Sequence, residues 1–391
     1  SSSVEISQVN KLPELQDRYA QGNGGVFNTA DPGADGLWFT ADDGSVGTSA
    51  SWGPEIGGVG GEDLKSYDNT GNFFQNGVSW NNNISFSGGT QKANYRLSVG
   101  NTQIQGTIPN TDWDRTSVRL TSDVQLSDKL RLGGTANYVQ SGGTRVQNGS
   151  NLSGVMLGLS RAPASFDLTG GSLEEGKEGW RLPSGNQNQY FYVYDNPFWT
   201  VYENPSTDQV DRMIGNFDVT YDANNWLTVS YKLGVDAYTD ARTSIFAIHS
   251  WDPPSPTGQV EEFTVRQRQI YSDLIATATK AFSEKSNGRF SIGNNLNERY
   301  SAEQYLRGRD LNIEGFYNLS NATNLYAGDA SATVRTASLF FMGDYDYDNT
   351  YYISFTGRND WASTFGANKN NFFYPSVNAA VVFSELLPEG S

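Results

Sequence analysis

The 391-residue sequence predicts an all-β fold, an antiparallel transmembrane β-barrel, and three observations carry that expectation. Long segments alternate apolar and polar side chains, which is the period-two signature of a strand whose two faces meet different solvents. Short and long connections between those segments take turns along the chain, as they do when short turns lie on one side of a membrane and long ones on the other. Aromatic residues gather where the segments meet the short turns, where outer-membrane barrels carry an interfacial girdle.

The first hairpin sets Ile84 and Phe86 against Tyr95, Leu97 and Val99, with its turn near Gly89 to Ala93. The plainest strand runs from Ser117 to Leu126. There Val118, Leu120, Val124 and Leu126 alternate with Arg119, Thr121, Asp123 and Gln125. After Ser127-Asp128-Lys129 the pattern resumes with Leu130, Leu132, Ala136 and Tyr138, so the pair reads as a hairpin. Phe217, Val219 and Tyr221 then turn at Asp222-Ala223-Asn224-Asn225 into Leu227, Val229, Tyr231, Leu233 and Val235. A further hairpin turns near Glu284 to Gly288. The last joins Leu339, Phe341, Tyr345 and Tyr347 to Tyr351, Ile353 and Phe355 through Asp348-Asn349.

The remaining connections are polar and are expected near 101–116, 141–209, 240–260, 300–333 and 358–371. A β-sandwich would show strands of about five or six residues with a turn every 8–12. These segments reach about ten, the length that crosses a bilayer when tilted. Tyr221 and Trp226 flank one short turn, Phe282 and Phe290 another, and Tyr345, Tyr347, Tyr351 and Tyr352 a third. On this reading the apolar face meets acyl chains and the Arg/Asp/Gln/Thr face lines a wet lumen. A closed ladder is required, because hydrocarbon offers no hydrogen-bond partners.

Composition removes several functions. The chain has no cysteine and a single histidine, His249, which disfavours thiolate sites, zinc enzymes and histidine-based triads. With 27 basic against 43 acidic residues the net charge is −16, so nucleic acid is not an expected partner. The longest apolar run, Ala379 to Phe383, falls far short of the ~20 residues of a membrane helix. No catalytic carboxylate pair and no phosphate-binding glycine loop stands out, so no enzyme is expected. The alternatives to a transporter are a secreted all-β carbohydrate-binding or adhesion protein and, further off, a glycan-degrading enzyme.

Several stretches resemble one family. Asn72-Phe73-Phe74-Gln75-Asn76-Gly77, Asn83-Ile84-Ser85-Phe86-Ser87-Gly88-Gly89, Tyr95-Arg96-Leu97-Ser98-Val99-Gly100 and Gly106-Thr107-Ile108-Pro109-Asn110-Thr111-Asp112 are similar to the early barrel of SusC/RagA-type TonB-dependent outer-membrane transporters. Asp195-Asn196-Pro197-Phe198-Trp199 and Asp211-Arg212-Met213-Ile214-Gly215-Asn216 continue the likeness. Gly357-Arg358-Asn359-Asp360-Trp361-Ala362-Ser363-Thr364-Phe365-Gly366 and Phe372-Phe373-Tyr374-Pro375-Ser376-Val377 resemble the family's later signature.

The resemblance implies a barrel of about 22 strands, a plug, a TonB box and a SusD-like surface lipoprotein over the mouth. It further implies import of an oligosaccharide or a peptide, the oligosaccharide being preferred. This sequence would supply about half such a barrel, without plug, TonB box, signal peptide or closing strands, and is expected to be a portion of a longer chain.

Two groups of residues are candidate sites. Trp180, Tyr190, Tyr192, Tyr194, Trp199 and Tyr202 in the connection 141–209, with Trp251 in His249-Ser250-Trp251-Asp252-Pro253-Pro254-Ser255-Pro256, offer flat faces to a ligand or partner. The alternative is that this loop packs on itself. Asp31, Asp35, Asp42 and Asp43, among glycines, suggest a calcium loop, although Gly33 and the lack of a closing glutamate depart from the EF-hand. A solvated acidic loop is the alternative.

Overall fold

The computed structural model describes the chain except residues 38–39, 148, 173–177, 253–255, 367–369 and 387–391. Its elements in chain order are β1 (Ser2–Ser7), a small ribbon of β2 (Gly22–Asn23) and β3 (Val26–Phe27), α1 (Asn69–Phe73), β4 (Gly77–Gly89), β5 (Ala93–Gln105), β6 (Asp112–Ser127) and β7 (Leu130–Arg145). There follow α2 (Val155–Arg161), α3 (Pro197–Glu203), β8 (Ser206–Asn224), β9 (Leu227–Phe246), β10 (Gln259–Ser283), β11 (Ser286–Leu311), β12 (Ala322–Tyr347), β13 (Tyr351–Ala362) and β14 (Asn371–Val381). Setting the ribbon aside, these strands form one 12-stranded antiparallel sheet in which each strand pairs with the next in the chain. The sheet does not close on itself; β1 and β14 are its edges. No described helix is long and apolar enough to cross a membrane.

Register explains why the sequence reads so cleanly. Phe86 faces Leu97, Leu97 faces Leu120 and Leu120 faces Ala136; the row runs on through Gly215 and Val235 to Ile270. One residue along, the same strands align Ser87, Arg96, Thr121, Thr135, Asn216 and Gly234. A slip of one residue would exchange the two rows and turn the apolar set to the wrong solvent, so the pattern fixes the register. The apolar face has no second protein layer over it: Val118 is 41% exposed, Leu120 47% and Ile353 45%, and Val229 and Tyr231 are half-buried. A sandwich would have buried them.

The polar face is tied together by charge. Arg212 binds Asp236 at 2.6 Å, Lys232 meets Asp218 at 3.3 Å, and Arg358 reaches both Asp360 at 2.6 Å and the Ser338 hydroxyl at 2.8 Å. On this face Gly234 lies beneath the ring of its cross-strand partner Tyr271, so an added Cβ would collide with that ring.

All five hairpin turns fall where the alternation breaks, but the long connections differ from expectation. The loops expected near 101–116, 240–260, 300–333 and 358–371 shrink to 106–111, 247–258, 312–321 and 363–370. The strands run on into them: β10 has 25 residues, and β11 and β12 have 26 each. At ~3.3 Å per residue and a tilt of ~40°, 25 residues rise about 63 Å, more than twice an apolar band of about 25 Å. Beyond the band both faces meet water, so the hydrogen-bonded ladder continues without an apolar alternation to betray it. The sequence reading also passed over β1, and with it the fact that 8–76 is a long connection joining β1 to β4.

Candidate functional site at the long-connection end

At the end opposite the short turns, connections 8–76, 146–205 and 247–258 fold together into a body with its own core. Phe73, Val155, Leu159, Leu168, Trp180, Phe198, Trp199, Val201 and Ala247 form that core. The 8–76 connection is held to its neighbour by backbone and amide bonds. Gln21 Nε2 donates to the Tyr190 carbonyl at 2.7 Å, Tyr67 N to Ala164 O at 2.8 Å, and Asn69 Nδ2 to Phe166 O at 2.8 Å.

Helix α3 anchors the body. Asn196 caps it by accepting from Phe198 N at 2.9 Å, and Pro197 occupies the first turn, where a missing N–H costs nothing. Five consecutive residues, Pro197 to Val201, are buried. Such a buried run needs its polar groups satisfied from neighbouring chain. Trp199 Nε1 donates to Ser250 Oγ at 2.8 Å, and that hydroxyl donates to Asn204 Oδ1 at 2.8 Å, which also accepts from Ala247 N at 2.8 Å.

Asp195 is the hub of this network. Its Oδ1 accepts from Gln187 Nε2 at 2.7 Å and from Trp251 N at 2.9 Å, joining connection 146–205 to connection 247–258. Oδ2 has no hydrogen-bond partner among the described residues. Burial therefore dominates and pushes the carboxyl up to about 7, against the two hydrogen bonds that favour its charged form, with nearby Asp252 adding to the rise. Burial likewise lowers His249.

The aromatic candidates divide. Trp180, Tyr190 and Trp199 are buried. Trp180 lies between Phe198 (5.9 Å between centroids, 18°) and Tyr202 (4.7 Å, 11°). These three rings build the body rather than offer a face to ligand, because a loop this long needs a core of its own. Tyr202 keeps 41% exposure. Tyr192, Tyr194 and Trp251 are half-buried and lie together. Trp251 meets Tyr192 edge-on at 6.1 Å, Phe191 bridges Tyr192 and Tyr194, and the Arg161 guanidinium sits 4.7 Å from the Tyr194 ring centroid. Pro253, Pro254 and Ser255 of the segment that carries Trp251 lie outside the described residues.

The acidic loop uses its carboxylates locally. Asp31 Oδ1 accepts from Gly33 N at 3.0 Å, and Asp35 Oδ1 from Leu37 N at 2.9 Å. Asp42 Oδ2 accepts from Ala34 N and Asp35 N, while its Oδ1 and Asp43 share the Thr40 hydroxyl. Among the described residues no group of three or more His, Cys, Asp or Glu is placed to hold an ion. Among the described residues the loop does not gather the six to eight oxygens that calcium takes. Instead, the Thr40 hydroxyl and the two backbone donors hold the Asp42 carboxyl below its usual range.

The polar hub escaped the sequence reading. Asp195-Asn196-Pro197, an N-cap followed by proline, was the visible signal for a helix start.

Comparison with known proteins bears on the whole arrangement. No protein-family model matches the sequence. TonB-dependent receptor P26 of Formosa agariphila is 23% identical over 331 residues, covering 78% of this chain and 30% of that protein. TonB-dependent receptor P3 of the same organism is 22% identical over 319 residues, covering 76% of this chain and 29% of that protein. The chain thus spans less than a third of the length of these curated relatives. Among solved structures, a RagAB peptide transporter superposes with a TM-score of 0.68 at 18% identity, covering 83% of this chain and 36% of that one. A RagAB peptide importer in an open-open state gives 0.69 at 18% identity, with the same coverage of each chain. These likenesses bear out the resemblance to SusC/RagA-type TonB-dependent outer-membrane transporters. The sheet belongs in the outer membrane, with its apolar face to lipid.

Proposed function

We propose that this chain walls part of the lumen, and builds part of the mouth, of a TonB-dependent importer that carries a nutrient oligomer across the outer membrane. TonB drives that transport, and a SusD-like surface lipoprotein covers the body at the long-connection end. The observation that carries the reading is the two-faced sheet: one register row is apolar and uncovered from Phe86 to Ile270, and the next is polar and cross-linked by charge. An oligosaccharide is the first choice of cargo. It rests on the grouped rings of Tyr192, Tyr194 and Trp251, which are only half-buried. A peptide is the second, favoured by the fold likeness to a RagAB peptide transporter.

The test is uptake of fluorescent oligosaccharides and oligopeptides of graded length by cells carrying the full-length protein, with and without TonB. TonB-dependent uptake of the sugars, reduced severalfold by Trp251→Ala with the barrel intact, supports the first choice. TonB-dependent uptake of peptides alone shifts the cargo to the second. Uptake indifferent to TonB, or extraction of the full-length protein as a soluble monomer without detergent, overturns the transporter reading.

A further inference from the structure

The apolar face of the sheet is not uniform. Between β9 and β13 it sinks into a groove of about 830 Å³, within the range of small-molecule sites. Leu233, Ile270, Leu296 and Trp361 give it apolar walls, and Glu298 and Arg335 stand at its rim. Register places all six on the lipid-facing side: Val235 faces Ile270, Ile270 faces Glu298, and Glu298 faces Arg335.

The charges sit at a defined height. Glu298 lies eight positions beyond Phe290, a ring beside the short turn. At ~3.3 Å per residue and ~40° of tilt that is about 20 Å, near the far border of a band about 25 Å tall. There, a charge costs little and a lipid head group lies within reach.

Their sum is positive. Glu298 is shared by two arginines, Arg268 at 3.0 Å and Arg335 at 2.8 Å. One carboxylate cannot neutralise two guanidiniums, each with five donors. The Arg335 side chain is 71% exposed despite its ion pair. Arg266, exposed on the same face two residues before Arg268, adds a third cation. Glu298 thus holds Arg268 and Arg335 side by side above an apolar trough.

We propose that this groove seats a lipid of the outer membrane whose phosphate head group is net anionic, its acyl chain along Leu233, Ile270 and Leu296 and its phosphate on Arg268 and Arg335. The inference rests on the membrane placement of the sheet and not on the cargo. Planar guanidiniums match phosphate oxygens bidentately, and the trough replaces bulk lipid contacts without exposing a polar backbone.

The test is native mass spectrometry of the full-length protein released from nanodiscs of phosphatidylcholine containing one-tenth phosphatidylglycerol. The wild type is expected to prefer phosphatidylglycerol to phosphatidylcholine roughly tenfold over their bulk ratio, so that about half of the retained lipid is phosphatidylglycerol, the scale of one charge-assisted hydrogen bond. R268Q/R335Q is expected to lose that enrichment. E298Q is expected to retain more, because it removes the charge that competes with the phosphate while its amide oxygen still accepts from an arginine; loss of retention in E298Q as well marks a merely structural triad and overturns the proposal. Retention at the bulk fraction in the wild type, or enrichment unchanged in R268Q/R335Q, overturns the proposal. So does a lipid-free dimer mass, which would assign the groove to a second copy of the chain. TonB-dependent uptake is read separately, so failure here leaves the transport reading standing.

Discussion

Placing an arginine at Leu120 puts the two-faced sheet to its sharpest test. Leu120 faces Leu97 and Ala136 across its two ladders and has no protein over it. It lies seven positions before Ser127, the last residue of β6. At ~3.3 Å per residue and ~40° of tilt that is about 18 Å along the barrel axis, close to the bilayer midplane once the interfacial girdle is allowed for. An arginine there costs ~2–4 kcal/mol, or roughly 30- to 700-fold in the folding equilibrium. The control is Thr135→Arg on the polar face, where Thr135 faces Thr121 and Asn216. There the guanidinium enters water, and the change should stay within about 0.5 kcal/mol. Both variants of the full-length protein would be titrated with urea in lipid vesicles, with the folded fraction read by heat-modified gel mobility. Equal destabilisation by the two, or the larger loss from Thr135→Arg, would refute the assignment of faces.

Three further outcomes follow from the body at the mouth. Trp199→Ala should cost about 3–5 kcal/mol of local stability, since it empties a fully buried site and leaves Ser250 without its donor. Protease nicking within 146–205 should rise while barrel mobility on gels is unchanged. Asp195 has a folded value near 7 against 3.8 unperturbed, so the folded body holds this proton more tightly than the unfolded chain does. Its stability is therefore greatest below about pH 4 and falls as pH rises to about 7, by on the order of 4 kcal/mol at most. Amide exchange at Trp251, corrected for intrinsic rate, should accelerate between pH 5 and 8 in the wild type and stay flat in D195N; a parallel slope in both would exclude Asp195 as the cause. Chelating calcium should leave amide exchange at Ala34 and Asp35 unaltered, whereas Asp42→Ala should speed it by removing their acceptor. Slower exchange on adding calcium would restore the metal loop.

The parts of this fold that were legible in the sequence are those where two solvents act on one strand. Val118, Leu120 and Val124 alternate with Arg119, Thr121 and Asp123 because lipid selects one set and water the other, and that selection writes a period of two. Where β10 rises past the bilayer, Glu262, Thr264 and Arg266 stand on the face that is apolar at Ile270 while Phe263 and Val265 fall on the other, so with water on both sides the apolar row is not continued. The ladder persists but its signature is erased, so strand reads as loop. β1 escaped for the opposite reason: six residues with Val4 and Ile6 are too short a sample of alternation.

The body at the mouth was hidden by a different ambiguity. A ring that stacks in a core and a ring that waits for a ligand have the same letter, and only packing separates Trp180 and Trp199 from Tyr192 and Trp251. What the sequence did hold was the polar residues such a core requires. Gln187, Asp195, Asn196 and Asn204 recur at short intervals because a buried loop must supply its own hydrogen-bond partners where no sheet does. A dense run of amides among aromatic residues in a long connection therefore points first to a self-contained core. The half-buried group of Tyr192, Tyr194 and Trp251, fixed to the body through the Trp251–Asp195 bond, is then the part of the mouth where cargo contact is to be sought.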